Sequence, residues 1–301
     1  MKDLTYNKIF EKWLHEVSNP YAVSLPALCL ARNRAQSYNE YAEVIHEIGQ
    51  RLFSRLDYLQ LAPSVILELG CATGHFSQLI AERYAQGQII ALDPGWNMCK
   101  QAECSNQSQL WPVVSGYHQL PFAGNSIDFI FTNMSLSGSD DWPGLSAELY
   151  RVLKPEGLLM FAIPGPETLS QLRHAWQQID DHLHVAEFND MHDIGDALLH
   201  QGFADPVVDM ELLSLCYPSL NDLLNELRQL AYQNTLTHRN QYFTSKFKWQ
   251  KLHQLLPGKI EEGLEVIYGH ARKPATKKTV SMSDIGEAAI SPKQIQRLVK
   301  P

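Results

Sequence analysis

The sequence predicts an α/β protein: an open, doubly wound, mostly parallel seven-stranded sheet, with helices ahead of it and helical insertions late in the chain. Three observations lead there. Between residues 65 and 163, short runs of branched apolar residues alternate with segments whose apolar positions recur every three or four residues. The first of those runs closes on a glycine turn that opens a helix, as happens where doubly wound sheets bind ligands. Finally, 45% of the 301 residues are hydrophobic, enough to bury a sizeable core and to exclude a wholly disordered chain.

Each element has its own signal. Residues 1–60 read as helical, with Tyr41, Val44, Ile45, Ile48, Leu52, Leu56 and Leu59 on one stripe that Pro63 ends. Residues 65–69 (Val-Ile-Leu-Glu-Leu) read as a buried parallel strand closed by Gly70. A helix over 76–84 follows, then a strand over 88–92, stopped by Asp93-Pro94-Gly95, and a helix over 97–103. Strands over 110–115 and 127–132 come next, then a helix over 145–152 closed by Lys154-Pro155-Glu156-Gly157, then a strand over 158–163. Beyond it, helices are expected over 167–180, 191–201, 220–232 and 246–256, and the last two strands over 206–216 and 264–270. The chain thus divides into an N-terminal helical cap (1–60), a sheet domain (61–271) with insertions at about 165–190 and 219–256, and a tail (272–301). The tail carries seven Lys or Arg against two acids and few apolar residues, so disorder is expected there.

Composition excludes several classes of function. The net charge is −8, from 25 basic and 33 acidic residues, which argues against gripping a nucleic-acid backbone. Five cysteines with no CxxC spacing indicate neither a disulfide framework nor a zinc site, and a reduced cytoplasm is the expected location. No apolar run reaches the ~18 residues of a membrane span. His174, His182, His184 and His192 cluster in the late insertion, but their spacing fits no compact ligand set, so no metal is expected.

The glycine turn Glu68-Leu69-Gly70-Cys71-Ala72-Thr73-Gly74 is the chemical centre of the sequence. Counted from Gly70, a dinucleotide fingerprint would need glycines where Ala72 and His75 stand, and the Gly-Lys-Ser/Thr of a phosphate loop is absent. The turn does match E/D-x-G-x-x-x-G. Asp93 lies 23 residues after Gly70, where a carboxylate can accept from both hydroxyls of a ribose. Leu120-Pro121-Phe122, the run 125–130 and the run 148–157 (Glu-Leu-Tyr-Arg-Val-Leu-Lys-Pro-Glu-Gly) follow in order. Together these motifs resemble class I S-adenosylmethionine-dependent methyltransferases, which implies a Rossmann-like sheet. The resemblance places the cofactor on Glu68, Gly70, Cys71, Gly74, Asp93, Pro94, Tyr117, His118 and Asn133. Trp96 either covers the adenine or packs beneath the loop, and Asp128 is expected to brace a strand.

The likeness extends past the core. Arg34-Ala35-Gln36-Ser37-Tyr38-Asn39-Glu40 with Ala42, the run 165–176 (Gly-Pro-Glu-Thr-Leu-Ser-Gln-Leu-Arg-His-Ala-Trp) and the run 265–271 resemble the malonyl-[acyl-carrier-protein] O-methyltransferases of biotin synthesis. Methyltransferase-like assembly factors of a respiratory complex share the same features. The resemblance implies methyl transfer to the free carboxylate of a malonyl thioester, on malonyl-acyl carrier protein or malonyl-CoA. The sequence does not fix the oligomeric state, and a monomer is the expectation. A carboxylate is already ionised near neutral pH and needs no general base. It does need a cation, for which Arg173 and then Arg34 are the candidates, with Tyr38 either closing over the methionine end of the cofactor or donating to the acceptor.

Three positions depart from the family pattern. Ala72 replaces a central glycine, Tyr117 stands where an acid usually meets the adenine amino group, and the loop after residue 132 lacks the usual Gln-Trp pair at 137–138. The last two leave open a different small-molecule acceptor, or a non-catalytic, chaperone-like role. Carrier proteins are acidic, and the cations that could receive one are Lys246, Lys248, Lys251 and the tail.

Overall fold

The structure, a computed structural model, describes residues 22–103, 108–136, 141–240 and 242–275. The first third of the expected helical cap, the loop residues 137–140 and the expected tail from 276 onward lie outside the described residues.

Helices α1 (Leu25–Arg34), α2 (Tyr38–Tyr41) and α3 (Glu43–Ser54) lead into β1 (Val65–Leu69). Then come α4 (His75–Arg83), β2 (Gln88–Asp93), α5 (Trp96–Glu103), β3 (Leu110–Val114), β4 (Ile127–Asn133), α6 (Trp142–Val152) and β5 (Leu153–Pro164). The chain continues through α7 (Ser170–Gln177), α8 (Met191–Gln201), β6 (Ala204–Tyr217), α9 (Leu220–Gln229), α10 (Lys246–Leu255) and β7 (Ile260–Arg272). All seven strands form one sheet in the order β3-β2-β1-β4-β5-β7-β6. Strands β1 to β5 run parallel, while β7 is antiparallel to β5 and β6 to β7. The order reverses between β1 and β4, and the carboxyl ends of those strands open the crevice in which such sheets bind ligands.

Period-two alternation sends successive strand residues to opposite faces. Ile66, Phe129, Phe131, Leu158 and Met160 join Ile48, Leu52 and Phe76 from α3 and α4 in one core. Leu67, Leu69, Ile130, Leu159 and Phe161 join Leu145, Leu149 and Leu198 from α6 and α8 in the other. A third, satellite core holds Leu172, Trp176, Leu220, Leu223 and Leu252 and ties α7, α9 and α10 together above the sheet.

Three elements differ from the sequence reading, each for a local reason. Strand β5 begins at Leu153 rather than at 158, because Leu153 already pairs with Ile127 and Glu156 takes up the irregularity in a left-handed conformation (φ 64°). The helix expected over 167–180 is confined to α7, since the left-handed Leu169 (φ 55°) blocks an earlier start. Its approach is held instead by two buried carboxylates of β7. Glu265 accepts from the Glu167 amide (2.8 Å), and Glu262 from the amides of Gln171 and Leu172 (3.3 and 2.7 Å). The outer pair β6–β7 is longer than its apolar runs, because its ladder carries Glu211, Glu261 and Glu262 as well as the hydrophobic positions. No helix among the described residues is long and apolar enough to cross a membrane.

Candidate active site

The crevice has two halves. The first is polar and built around the turn between β1 and α4. Gly70 (φ 81°) and Gly74 (φ 85°) are left-handed, and a Cβ on either would collide, at 2.0 Å with Ser135 Cβ and at 2.8 Å with Ala102 Cβ. No other residue fits there without backbone movement. Ala72 occupies the same left-handed region (φ 46°), at a cost of roughly 1–2 kcal/mol. Asp93 offsets that strain. Its Oδ2 accepts from the Ala72 amide (3.1 Å) and its Oδ1 from the Gly95 amide (2.8 Å). Ser135 closes the turn from the other side, donating to Leu69 O (2.7 Å), and Thr73 ties it to Asn39 of α2 (2.6 Å).

Asp93 is fully buried because α1 lies over it. A Cβ on Gly95 would sit 2.6 Å from Arg32 Cβ, and one on Gly116 would sit 3.1 Å from Leu25. Asn33 fastens α1 to the start of α5 through the Asn97 amide and side chain, both at 2.9 Å. Arg32 thereby brings its guanidinium to 3.9 Å from Asp93, with both side chains out of solvent. That distance makes an ion pair but no hydrogen bond, and the Arg32 Nε and Nη1 atoms have no hydrogen-bond partner. Two further buried polar atoms nearby are equally unpartnered: the Tyr117 hydroxyl and Asn133 Oδ1.

Burial dominates the electrostatics. It pushes the Asp93 carboxyl above the usual aspartate range, with Arg32 and the two loop amides pulling it back. It lifts Glu68, which accepts a hydrogen bond from Ser77, to about 8. The phenols of Tyr38 and Tyr117 are raised the same way, against the opposing pull of Arg32. A hydrogen bond with Cys99, and then burial, hold the Cys71 thiol far above its ordinary value, so it is no nucleophile.

The second half is a chamber of about 450 Å³ beside the ends of β4 and β5. Its walls are mostly apolar and include Ile45, Met134, Leu172, Trp176, Leu215 and Leu227. Tyr232 joins the halves by donating to Met134 O (2.7 Å). Tyr217 donates to Glu226 (2.8 Å) inside the chamber, and burial raises that carboxyl. The roof is fixed by Asp180, which binds His184 (2.9 Å) and Lys248 (2.6 Å); against the upward push of burial these partners bring its carboxyl down to about 2. His184 also stacks on Trp176, with centroids 3.7 Å apart. Among the described residues no three His, Cys, Asp or Glu converge on a metal-sized site.

The expected site residues fall into two sets. Tyr38, Glu68, Gly70, Cys71, Gly74, Asp93, Pro94 and Tyr117 converge on the polar half, with Pro94 buried beside Asp93, while Asn133 at the end of β4 donates to Ile45 O of α3. The side chains of three others stand apart from it. Arg34 and His118 are exposed. Arg173 donates to Pro166 O (3.0 Å), Thr168 O (2.8 Å) and Ala186 O (3.3 Å), which commits its guanidinium to the backbone of its own insertion. Trp96 is 63% exposed and does not pack beneath the loop. Asp128 braces β1, accepting from the Ser64 and Val65 amides and pairing with Lys154. The residue missed is Arg32. The sequence gives no helical signal for it: Arg32 and Arg34 flank the buried Ala31–Ala35 face of α1 symmetrically, and only the packing of α1 over Asp93 buries Arg32 and leaves Arg34 exposed.

Residues 67–161 match a family described as a methyltransferase domain. A malonyl-[acyl-carrier protein] O-methyltransferase of Legionella pneumophila is 40% identical over 252 residues, covering 81% of this chain and 89% of its own. One of Gallionella capsiferriformans is 36% identical over 275 residues, covering 86% and 94%. Among solved structures, the YcgJ protein of Bacillus subtilis covers 76% of this chain and 98% of its own, at 17% identity and a TM-score of 0.51. The phosphoethanolamine N-methyltransferase 2 of Haemonchus contortus, solved with S-adenosyl-L-methionine, covers 75% of this chain and 52% of its own, at 17% identity and a TM-score of 0.50. Identities this low show a shared fold.

Proposed function

The chain belongs to the malonyl-[acyl-carrier protein] O-methyltransferase family, and from that membership we propose that it esterifies the free carboxylate of malonyl-acyl carrier protein with a methyl group from S-adenosylmethionine, for biotin synthesis. The carrying observation is the pairing of a polar, glycine-cradled turn packed around Asp93 with an adjoining apolar chamber, joined at Met134 and Tyr232. The residues present fit the cofactor. The unpartnered Arg32, Tyr117 and Asn133 atoms beside Asp93 and the Gly70–Gly74 turn are what an adenosyl group with an aminoacyl arm would satisfy. When bound, S-adenosylmethionine supplies a methyl group already activated by its sulfonium.

The protein's own contribution is binding, alignment and exclusion of water. Glu68, Gly70, Cys71, Gly74, Asp93, Pro94, Tyr117 and Asn133 would hold the cofactor, with the backbone at His118 reading the adenine edge. Tyr38 would close over its aminoacyl end. The malonyl carboxylate is the nucleophile, and no side chain has to take a proton from it. We assign the cation that steadies a carboxylate to Arg32 rather than to Arg34 or Arg173. It is buried beside Asp93 with Nε and Nη1 unpartnered, whereas Arg34 faces solvent and Arg173, though its Nε is also unpartnered, donates to three carbonyls of its own insertion. The apolar chamber takes the thioester arm, which malonyl-CoA shares with the carrier.

Calorimetric titration with S-adenosylmethionine and S-adenosylhomocysteine tests the first half of this reading. Micromolar binding is expected, and none up to millimolar ligand would overturn it. Mass spectrometry of malonyl-carrier protein after incubation tests the second: a gain of one methyl is expected, and Arg32→Gln should lower kcat/KM by at least tenfold.

A further inference from the structure

The insertion that walls the acceptor chamber has an unusual composition. From Leu227 to Lys259 there is no aspartate or glutamate, while Arg228, Arg239, Lys246, Lys248, Lys251 and Lys259 are basic, in a chain of net charge −8. The two surfaces of this stretch differ. Its inner side lines the chamber through Tyr232, Asn234, Thr244 and Trp249. Its outer side exposes three aromatic rings within six residues: Tyr242 at 87%, Phe243 at 104% and Phe247 at 73%. Rings so exposed, clustered and edged by charge mark a contact surface rather than ordinary scatter.

The cations sort in the same way. Lys248 is paired with Asp180 and Lys251 donates to Gln178 O, so both hold the insertion roof in place. Arg228, Lys246 and Lys259 are exposed. Arg228 lines the chamber as well, and Thr244, next to the fully exposed Phe243, is part of its wall. Outer surface and chamber are therefore one residue apart.

We propose that the outer face of residues 228–251 is the docking surface for an acidic carrier protein, which seats against Arg228, Lys246, Phe243 and Phe247 and feeds its acyl arm into the chamber behind Thr244. The proposal rests on the acceptor reading above and adds where the carrier binds. Charge complementarity selects the partner, since an acid-free basic stretch attracts an acidic domain and repels the same stretch on a second copy of this chain, which disfavours a symmetric self-contact through this face. The aromatic rings supply the apolar contact that holds the encounter complex once formed.

The test is the triple variant Phe243→Ser/Lys246→Glu/Phe247→Ser, none of whose side chains lines the chamber or the cofactor hollow. Its kcat/KM is compared with wild type on malonyl-carrier protein and on malonyl-pantetheine, which has the same arm and no protein. The carrier reaction is expected to fall at least tenfold and to lose most of its salt dependence, with malonyl-pantetheine turnover and S-adenosylhomocysteine affinity within twofold of wild type. Parallel loss on both acceptors, or no loss on either, would overturn the proposal. Calorimetric binding of malonyl-carrier protein, which needs no turnover, separates this failure from failure of the acceptor reading. If wild type binds the carrier and the variant does not, the surface stands even where no methyl is transferred; equal binding by both removes it.

Discussion

The two halves of the crevice are built on opposite principles. Around Asp93 the chain is packed shut: a carboxylate, a guanidinium and two phenols are buried together, and α1 covers them. Beside Met134 it is open, with a chamber of about 450 Å³ between mostly apolar walls. The difference follows from what each surface costs when empty. Mostly apolar walls can stand apart, because they leave few polar groups unsatisfied, here Gln233 Oε1. A buried carboxylate cannot be left alone, so the chain supplies Arg32 as its counter-charge. The polar half is thus a closely packed set of polar groups with several atoms unpartnered, and the apolar half is pre-formed space.

The largest effect should come from breaking the polar half. Asp93→Ala is expected to weaken S-adenosylhomocysteine binding at least a hundredfold by calorimetry. It should also cost about 3 kcal/mol in denaturant unfolding, because Arg32 is left buried and uncompensated. The double variant Asp93→Ala/Arg32→Ala should regain most of that stability and none of the binding. Undiminished ligand binding by Asp93→Ala would erase the distinction between the halves. A smaller and opposite signature is expected from filling the apolar half. Leu227→Trp should cut kcat/KM for malonyl thioesters by roughly tenfold or more while leaving S-adenosylhomocysteine affinity within twofold, since Leu227 lines only the chamber.

The subtlest effect is a pH dependence. Glu68 titrates near 8 in the folded chain, against 4.5 as its ordinary value, because burial disfavours its charge. Between those values the folded state keeps a proton that the unfolded state has lost, so stability falls as pH rises, by up to about 1.4 kcal/mol per pH unit. Glu68→Gln should flatten that slope in urea melts at pH 5 to 8 and keep the acceptor for Ser77. An unchanged slope would show that Glu68 is solvated rather than sealed in the polar half.

Much of this was legible before any coordinates. The parallel strands, the glycine turn and Asp93 at the end of β2 are local patterns, each carried by a few adjacent residues. What the linear reading left undecided was the choice among arginines. Arg34 sits in a family-like run and Arg173 on an insertion helix, and both are natural candidates in a linear reading. Burial, which a motif does not encode, turned Arg32 inward, Arg34 outward, and Arg173 onto the carbonyls of Pro166, Thr168 and Ala186. The helix expected over 167–180 shortened for a related reason: its first residues are claimed by Glu262 and Glu265, about ninety positions away.

The sequence by itself determined the architecture and the methyl donor. Strand periodicity, turn chemistry and motif order are short-range properties, and they suffice to place a cofactor loop at the switch point of a parallel sheet. Tertiary structure alone decided which cation is buried, where the acceptor chamber lies and which face of the insertion stays exposed. Those depend on contacts between segments tens of residues apart, α1 against β2 and the 227–259 stretch against α7, and no local pattern records the packing that brings them together.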